Sequence, residues 1–92
     1  MNCVIYASNN NRVPMFEQHN YCAEFAKRKG YTIEKRYFDI RGDKLYEAIN
    51  QCLFYGAGAL LIYDKSVIGS SEDFLFYKIY LEKFDRCIIV CK

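Results

Sequence analysis

Two kinds of apolar pattern alternate along this chain: short unbroken runs, and longer stretches with apolar residues spaced by three and four. Val4-Ile5-Tyr6 is a β-favouring run that opens into the polar stretch Ser8, Asn9, Asn10, Asn11 and Arg12. From about Pro14 to Lys29, Met15, His19, Cys22 and Ala26 recur at helical spacing, with Pro14 suited to the first turn. Lys27, Arg28 and Lys29 complement the helix dipole, and Gly30 is the expected stop. Tyr31 to Phe38 alternates in part, as an edge strand would, with Ile33 and Tyr37 on one parity. After the loop Asp39–Asp43, a second helix carries Leu45, Ala48, Ile49, Cys52 and Leu53 on one face, with Asp43 as the expected cap.

Ala59-Leu60-Leu61-Ile62-Tyr63 is continuously apolar, the mark of a central parallel strand covered on both faces. A second polar loop, "DKSVIGSSED", leads through Ser70 or Ser71 as cap into a helix from about Glu72 to Phe84. Cys87 to Val90 complete the pattern as a last buried strand. The order β-α-β-α-β-α-β predicts a three-layer α/β domain: a mostly parallel four-stranded sheet with flanking helices. The loops Ser8–Arg12 and Asp64–Ser71 would then lie beyond the carboxyl ends of the strands, where such sheets hold their ligands.

Composition narrows the classes. The chain has 92 residues, 52% of them hydrophobic and 17% aromatic, with only one Pro and five Gly, which suits one folded domain over residues 1–92. A formal charge of +2 is well short of a dedicated nucleic-acid binder. No apolar run is long enough to span a bilayer, and the N-terminal run lacks the basic leader of a signal peptide. The five cysteines lie among apolar neighbours without a CxxC, and His19 is the single histidine. Buried free thiols in a reducing cytoplasm are expected, with no metal and no cofactor; Cys87 and Cys91 share a strand face but make a weak metal pair.

The loops supply little ordinary chemistry. "ASNNNRVP" offers Ser, three Asn and Arg12, enough to hold an anion weakly but without a glycine cradle. A phosphoacceptor receiver site needs an acid at the end of the first strand, and there is none; Asp64 after the third stands alone. His19 on the first helix reads as a semi-buried structural histidine, and Ser8, Ser66, Ser70 and Ser71 have no evident activating partner.

Three segments together carry a resemblance: "VIYASNN", "EQHNYCAEFAKRKGYTIEKRYFD" and "ALLIYDKSVIGSSEDFLFYKIYLEK". They resemble the N-terminal catalytic domain of the resolvase/invertase serine recombinases, with Gln18, Cys22, Ala26, Gly30 and Tyr31 at the expected places. The resemblance covers nearly the whole chain and implies a flavodoxin-like, resolvase-like fold. It also implies a chemistry in which a serine attacks a DNA phosphodiester and arginines stabilise the charge on phosphorus. Residue by residue, that machinery is missing. The family's first-strand arginine falls on Ser8 and its nucleophilic serine on Asn10, which cannot form the covalent link. The Asp-Arg pair of the third-strand loop falls on Ser66 and Val67, and the next arginine on Ser70. The arginine before the second helix falls near Lys44, a charge without the guanidinium fork. Ser8 as substitute nucleophile would lie two residues early.

The resemblance therefore implies a recombinase-type domain with a degenerate site. It would act by protein contact, with itself or with a full-length recombinase, in a mobile-element setting. Family members continue into a long helix and a DNA-binding domain, which this chain is expected to lack, so DNA contact should be weak or indirect. Asn10, Arg12, Lys44 and Lys65 are the candidate anion or DNA contacts. The aromatic third helix is the candidate interface, through Phe74, Tyr77, Tyr80 and Phe84, together with the sheet edge. The competing readings are a residual DNA strand-transfer enzyme and a small anion- or nucleotide-sensing module.

Overall fold

The computed structural model describes residues 1–92. Its strands are β1 (Asn2–Ser8), β2 (Thr32–Asp39), β3 (Ala59–Ile62) and β4 (Cys87–Val90). Its helices are α1 (Met15–Lys29), α2 (Leu45–Phe54) and α3 (Ser71–Glu82), with a short 3₁₀ turn at Lys65–Val67 that the sequence pattern does not announce. All pairings are parallel, in the order β2-β1-β3-β4. The two interior strands are the most apolar: Cys3 to Ala7 of β1 and all of β3 are buried. The chain reverses its direction of travel across the sheet between β1 and β3, which puts a topological switch point there.

One face of the sheet packs on α2 and α3. There Val4, Tyr6, Leu60 and Ile62 meet Ala48, Ile49, Cys52, Phe74 and Leu81. The other face packs on α1, where Cys3, Ile5, Ala59 and Leu61 meet Cys22 and Ala26. Gly30 ends α1 in the left-handed conformation, its N–H donated to Lys27, as its position after the basic turn predicts. Ser70 caps α3 in a full capping box with Asp73. Gly69 before it has φ +140°, and a Cβ there would come within 2.8 Å of the Asp73 carboxylate, so the box requires glycine at that point.

Four expectations are corrected. Ile33 and Tyr37 do not share a face: the pairing shifts from Cys3↔Ile33 to Val4↔Lys35, so Glu34 is an extra residue. This bulge inverts the parity, sending Ile33 to the α1 side and Tyr37 to the α2–α3 side. Asp43 does not cap α2; the cap position is Lys44, which makes no side-chain cap, and Asp39 serves the preceding N–H groups instead. β4 is half-exposed, because it is an edge strand. Among the thiols, Cys87 is likewise only partly buried, while the other four are buried; all five are free.

Candidate functional site

β1 ends with its last residue, Ser8, still buried (2% exposed), because Gln18 of α1 grips it from the side. The Gln18 Oε1 accepts the Ser8 N–H at 3.1 Å, and its Nε2 donates to the Ser8 carbonyl at 2.8 Å and to the Val13 carbonyl at 2.7 Å. Gln18 is fully buried and belongs to the inward stripe Gln18, Cys22, Ala26; Met15 and His19 lie only half-buried beside it. A glutamine at a buried helical position is tolerable only when its amide is satisfied, and here both ends are.

From this anchor the polar loop ties to its neighbours. The Ser8 hydroxyl donates to the Val67 carbonyl at 2.6 Å and accepts the Asn10 N–H at 3.2 Å. Asn10 Nδ2 donates to the same carbonyl at 3.3 Å. Asn11 Nδ2 donates to Ser66 Oγ at 2.7 Å, while its Oδ1 accepts the Val13 N–H at 2.8 Å. Asn9 reaches the other way, to the Ile40 carbonyl at 3.2 Å. Ser66 in turn donates its hydroxyl to Asp64 at 2.8 Å. That hydroxyl and the Ser66 N–H, with a smaller contribution from the Lys92 charge, hold the Asp64 carboxyl below its ordinary range despite some burial. Three asparagines thus bind three loops into one polar clasp at the switch point.

The second anchored corner is at the end of β2. Asp39 is buried and accepts N–H groups from Gly42 (2.7 Å), Asp43 (3.0 Å) and Lys44 (2.9 Å), as well as the Tyr6 hydroxyl. Burial pushes its carboxyl up, but the Tyr6 hydroxyl and the three amides outweigh this and hold it below the usual range. The Tyr6 hydroxyl is raised by burial and by its bond to Asp39.

The sequence-predicted residues divide accordingly. Ser8, Asn10, Ser66 and Val67 come together in the clasp; Ser70 is the α3 cap; Lys44 is exposed, with its N–H on Asp39. A shallow cleft of about 360 Å³ beside the clasp is lined by Asn10, Asn11, Arg12, Tyr63, Ser66 and Lys92. Lys44 lines a different cleft, with Phe38 and Arg41, and Lys65 lies over the Phe74 ring at 5.5 Å. Sequence reasoning missed Gln18 and Asp39 as site-building residues, and Lys92 as the second cation of the cleft. Of the interface candidates, Phe74 is in the core at 8% exposure, and Tyr77 is half-buried; Tyr80 and Phe84 are exposed. His19 accepts from Arg36 Nε at 3.0 Å and sits against Phe38.

Four of the five thiols are held up: Cys22 by the neighbouring Cys91 and by burial, Cys3 and Cys87 by burial, and Cys52 by burial up to about 12. Cys91 is lowered by the neighbouring Cys22. No three His, Cys, Asp or Glu side chains converge as a metal site would require. No helix is long and apolar enough to cross a membrane.

No protein-family model and no curated protein matches this chain. Solved structures do. The C-terminal catalytic domain of ISC1926 TnpA, an IS607-like serine recombinase, superposes with a TM-score of 0.84 at 22% identity, over 100% of this chain and 70% of that one. The N-terminal catalytic domain of TP901-1 integrase gives 0.84 at 21%, over 99% and 77%. The fold is that of a serine recombinase catalytic domain. At this identity the likeness concerns the backbone. The recombinase-like domain therefore has its polar clasp at the strand ends, with Asn10 where the sequence resemblance expects the nucleophile.

Proposed function

We propose that this recombinase-like domain is catalytically inactive and acts through protein contact, as a partner or regulator of an active site-specific recombinase. One observation carries the reading: Ser8, the serine nearest along the chain to Asn10, where the sequence resemblance expects the nucleophile, is buried with its hydrogen donated to the Val67 carbonyl. A nucleophilic hydroxyl needs access to phosphorus and a base or cation cluster to activate it. Ser8 has a carbonyl acceptor and neutral hydrogen-bond partners, it does not line the cleft that Arg12 and Lys92 share, and Lys44 and Lys65 lie outside that cleft. Five free thiols support a reducing, cytoplasmic setting.

The test is to add the chain, at rising dose, to a competent serine recombinase acting on a plasmid that carries its crossover sites. The expected result is a dose-dependent change in recombination, with no DNA linked to a serine of this chain by mass spectrometry. A serine–DNA adduct on this chain overturns inactivity. Unchanged recombination, with no complex in sedimentation, overturns the contact role.

A second reading, an anion- or nucleotide-sensing module, rests on Arg12 and Lys92 sharing one cleft. It requires saturable thermal stabilisation by phosphate or a nucleotide that Arg12→Ala abolishes; a flat titration removes it.

A further inference from the structure

The outer face of α3 is apolar where a solvated helix should be polar. Leu75 (53%), Phe76 (62%), Ile79 (47%) and Tyr80 (38%) are all substantially exposed, and the Phe76 and Tyr80 rings stack with centroids 6.1 Å apart. The inward face is already satisfied by Phe74 and Leu81 in the core. Lys83 keeps helical dihedrals after the last turn (φ −62°, ψ −21°), so the helical face extends to it. At about 100° per residue, Glu72 and Lys83 lie within about 20° of each other around the axis, one at each end of the apolar stripe. Neither is engaged inside the chain, whose single salt bridge is Lys78–Glu82.

This stripe is self-complementary when read backwards. Laid antiparallel on a second copy about a two-fold axis, Phe76 faces Ile79, Leu75 faces Tyr80 and Glu72 faces Lys83, each contact occurring twice. We propose that the α3 outer face is a homodimer interface in which a second copy of this chain packs antiparallel, with Glu72 of each opposite Lys83 of the other. The proposal deepens the protein-contact reading and rests on it for biological meaning. Five half-exposed apolar side chains, counting Phe84 at the edge (51%), present about 500 Å² a side at the 150–250 Å² typical of large aromatics. Two such faces bury about 1,000 Å², the lower bound of a specific interface, so the dimer should be reversible. A two-fold contact needs one patch that matches itself, and mirrored charge at its ends supplies the register.

Sedimentation equilibrium of the chain alone tests this. The expected mass is twice 10.9 kDa at high concentration, falling to one on dilution. Phe76→Glu should abolish the dimer while circular dichroism stays unchanged. Glu72→Lys or Lys83→Glu should each weaken it about tenfold, since every change enters twice, and the double swap should restore it. A monomer at every concentration overturns the proposal, as does a dimer indifferent to the single swaps or not restored by the double one. A monomer that still binds a recombinase overturns the self-pairing and leaves the contact reading standing. A serine–DNA adduct does the reverse.

Discussion

The two polar corners at the carboxyl ends of the strands are built from different chemistry. At the end of β2, one buried carboxylate takes three backbone N–H groups and the Tyr6 hydroxyl. At the end of β1, neutral amides and hydroxyls do the work, centred on Gln18 and Ser8. A charge-centred corner is strong and depends on protonation; a neutral one is weaker per bond and indifferent to pH over the same range. The two corners also differ in what they hold in place. Asp39 orders the start of α2, whereas the clasp occupies the place where the sequence resemblance expects catalytic groups.

Replacing the charge should have the largest effect. Asp39→Asn presents an amide to three N–H donors and should cost about 3 kcal/mol at neutral pH, read as a lowered urea midpoint. The pH dependence sharpens the contrast. Because the folded carboxyl lies below its unfolded value of about 3.9, its stabilisation is present above that pH and is lost as pH falls through the folded value. The gap between the native chain and Asp39→Asn should therefore close on acidification; a constant gap would contradict an ionised Asp39.

In the neutral corner, Gln18→Leu removes three bonds and strands the buried Ser8 N–H, at a cost of about 2 kcal/mol that does not vary between pH 5 and 8. Ser8→Ala should cost about 1 kcal/mol by thermal melt, with no change in any recombination readout. A loss of activity out of proportion to stability would instead make Ser8 a working group. The smallest expected effect is Asn11→Ala, about 0.5 kcal/mol by the same melt, since its ties are only partly buried.

What the sequence made legible was local. The order of elements, the central β3, the Gly30 stop and the Ser70 cap each depend on residues within one turn or one run. What it hid was set by partners far along the chain. Asp43 looked like the α2 cap because it stands next to the helix, but the cap position is Lys44, and Asp39 takes the N–H groups of Gly42, Asp43 and Lys44 from the strand end. Gln18 stands out in the sequence only as a matched position of the resemblance, and its work becomes visible once β1 supplies the partner Ser8, 10 residues away. The cleft joins Arg12 to Lys92 from opposite ends of the chain, a pairing that no spacing rule could find. The site positions were individually visible, but that the asparagines would fasten three loops required the sheet order to be known.

The extra residue at Glu34 has a consequence for how this strand can pair. It acts as a phase shift between two half-strands, the first keyed to α1 and the second to α2. Were β2 to pair with β1 in continuous register from Cys3↔Ile33, without the bulge, every residue from Glu34 onward would be out of frame. Tyr37 would turn toward α1, Asp39 would leave Tyr6, and the helix that follows would lose its starting point. A single looped-out residue thus keeps the two halves of the core synchronised.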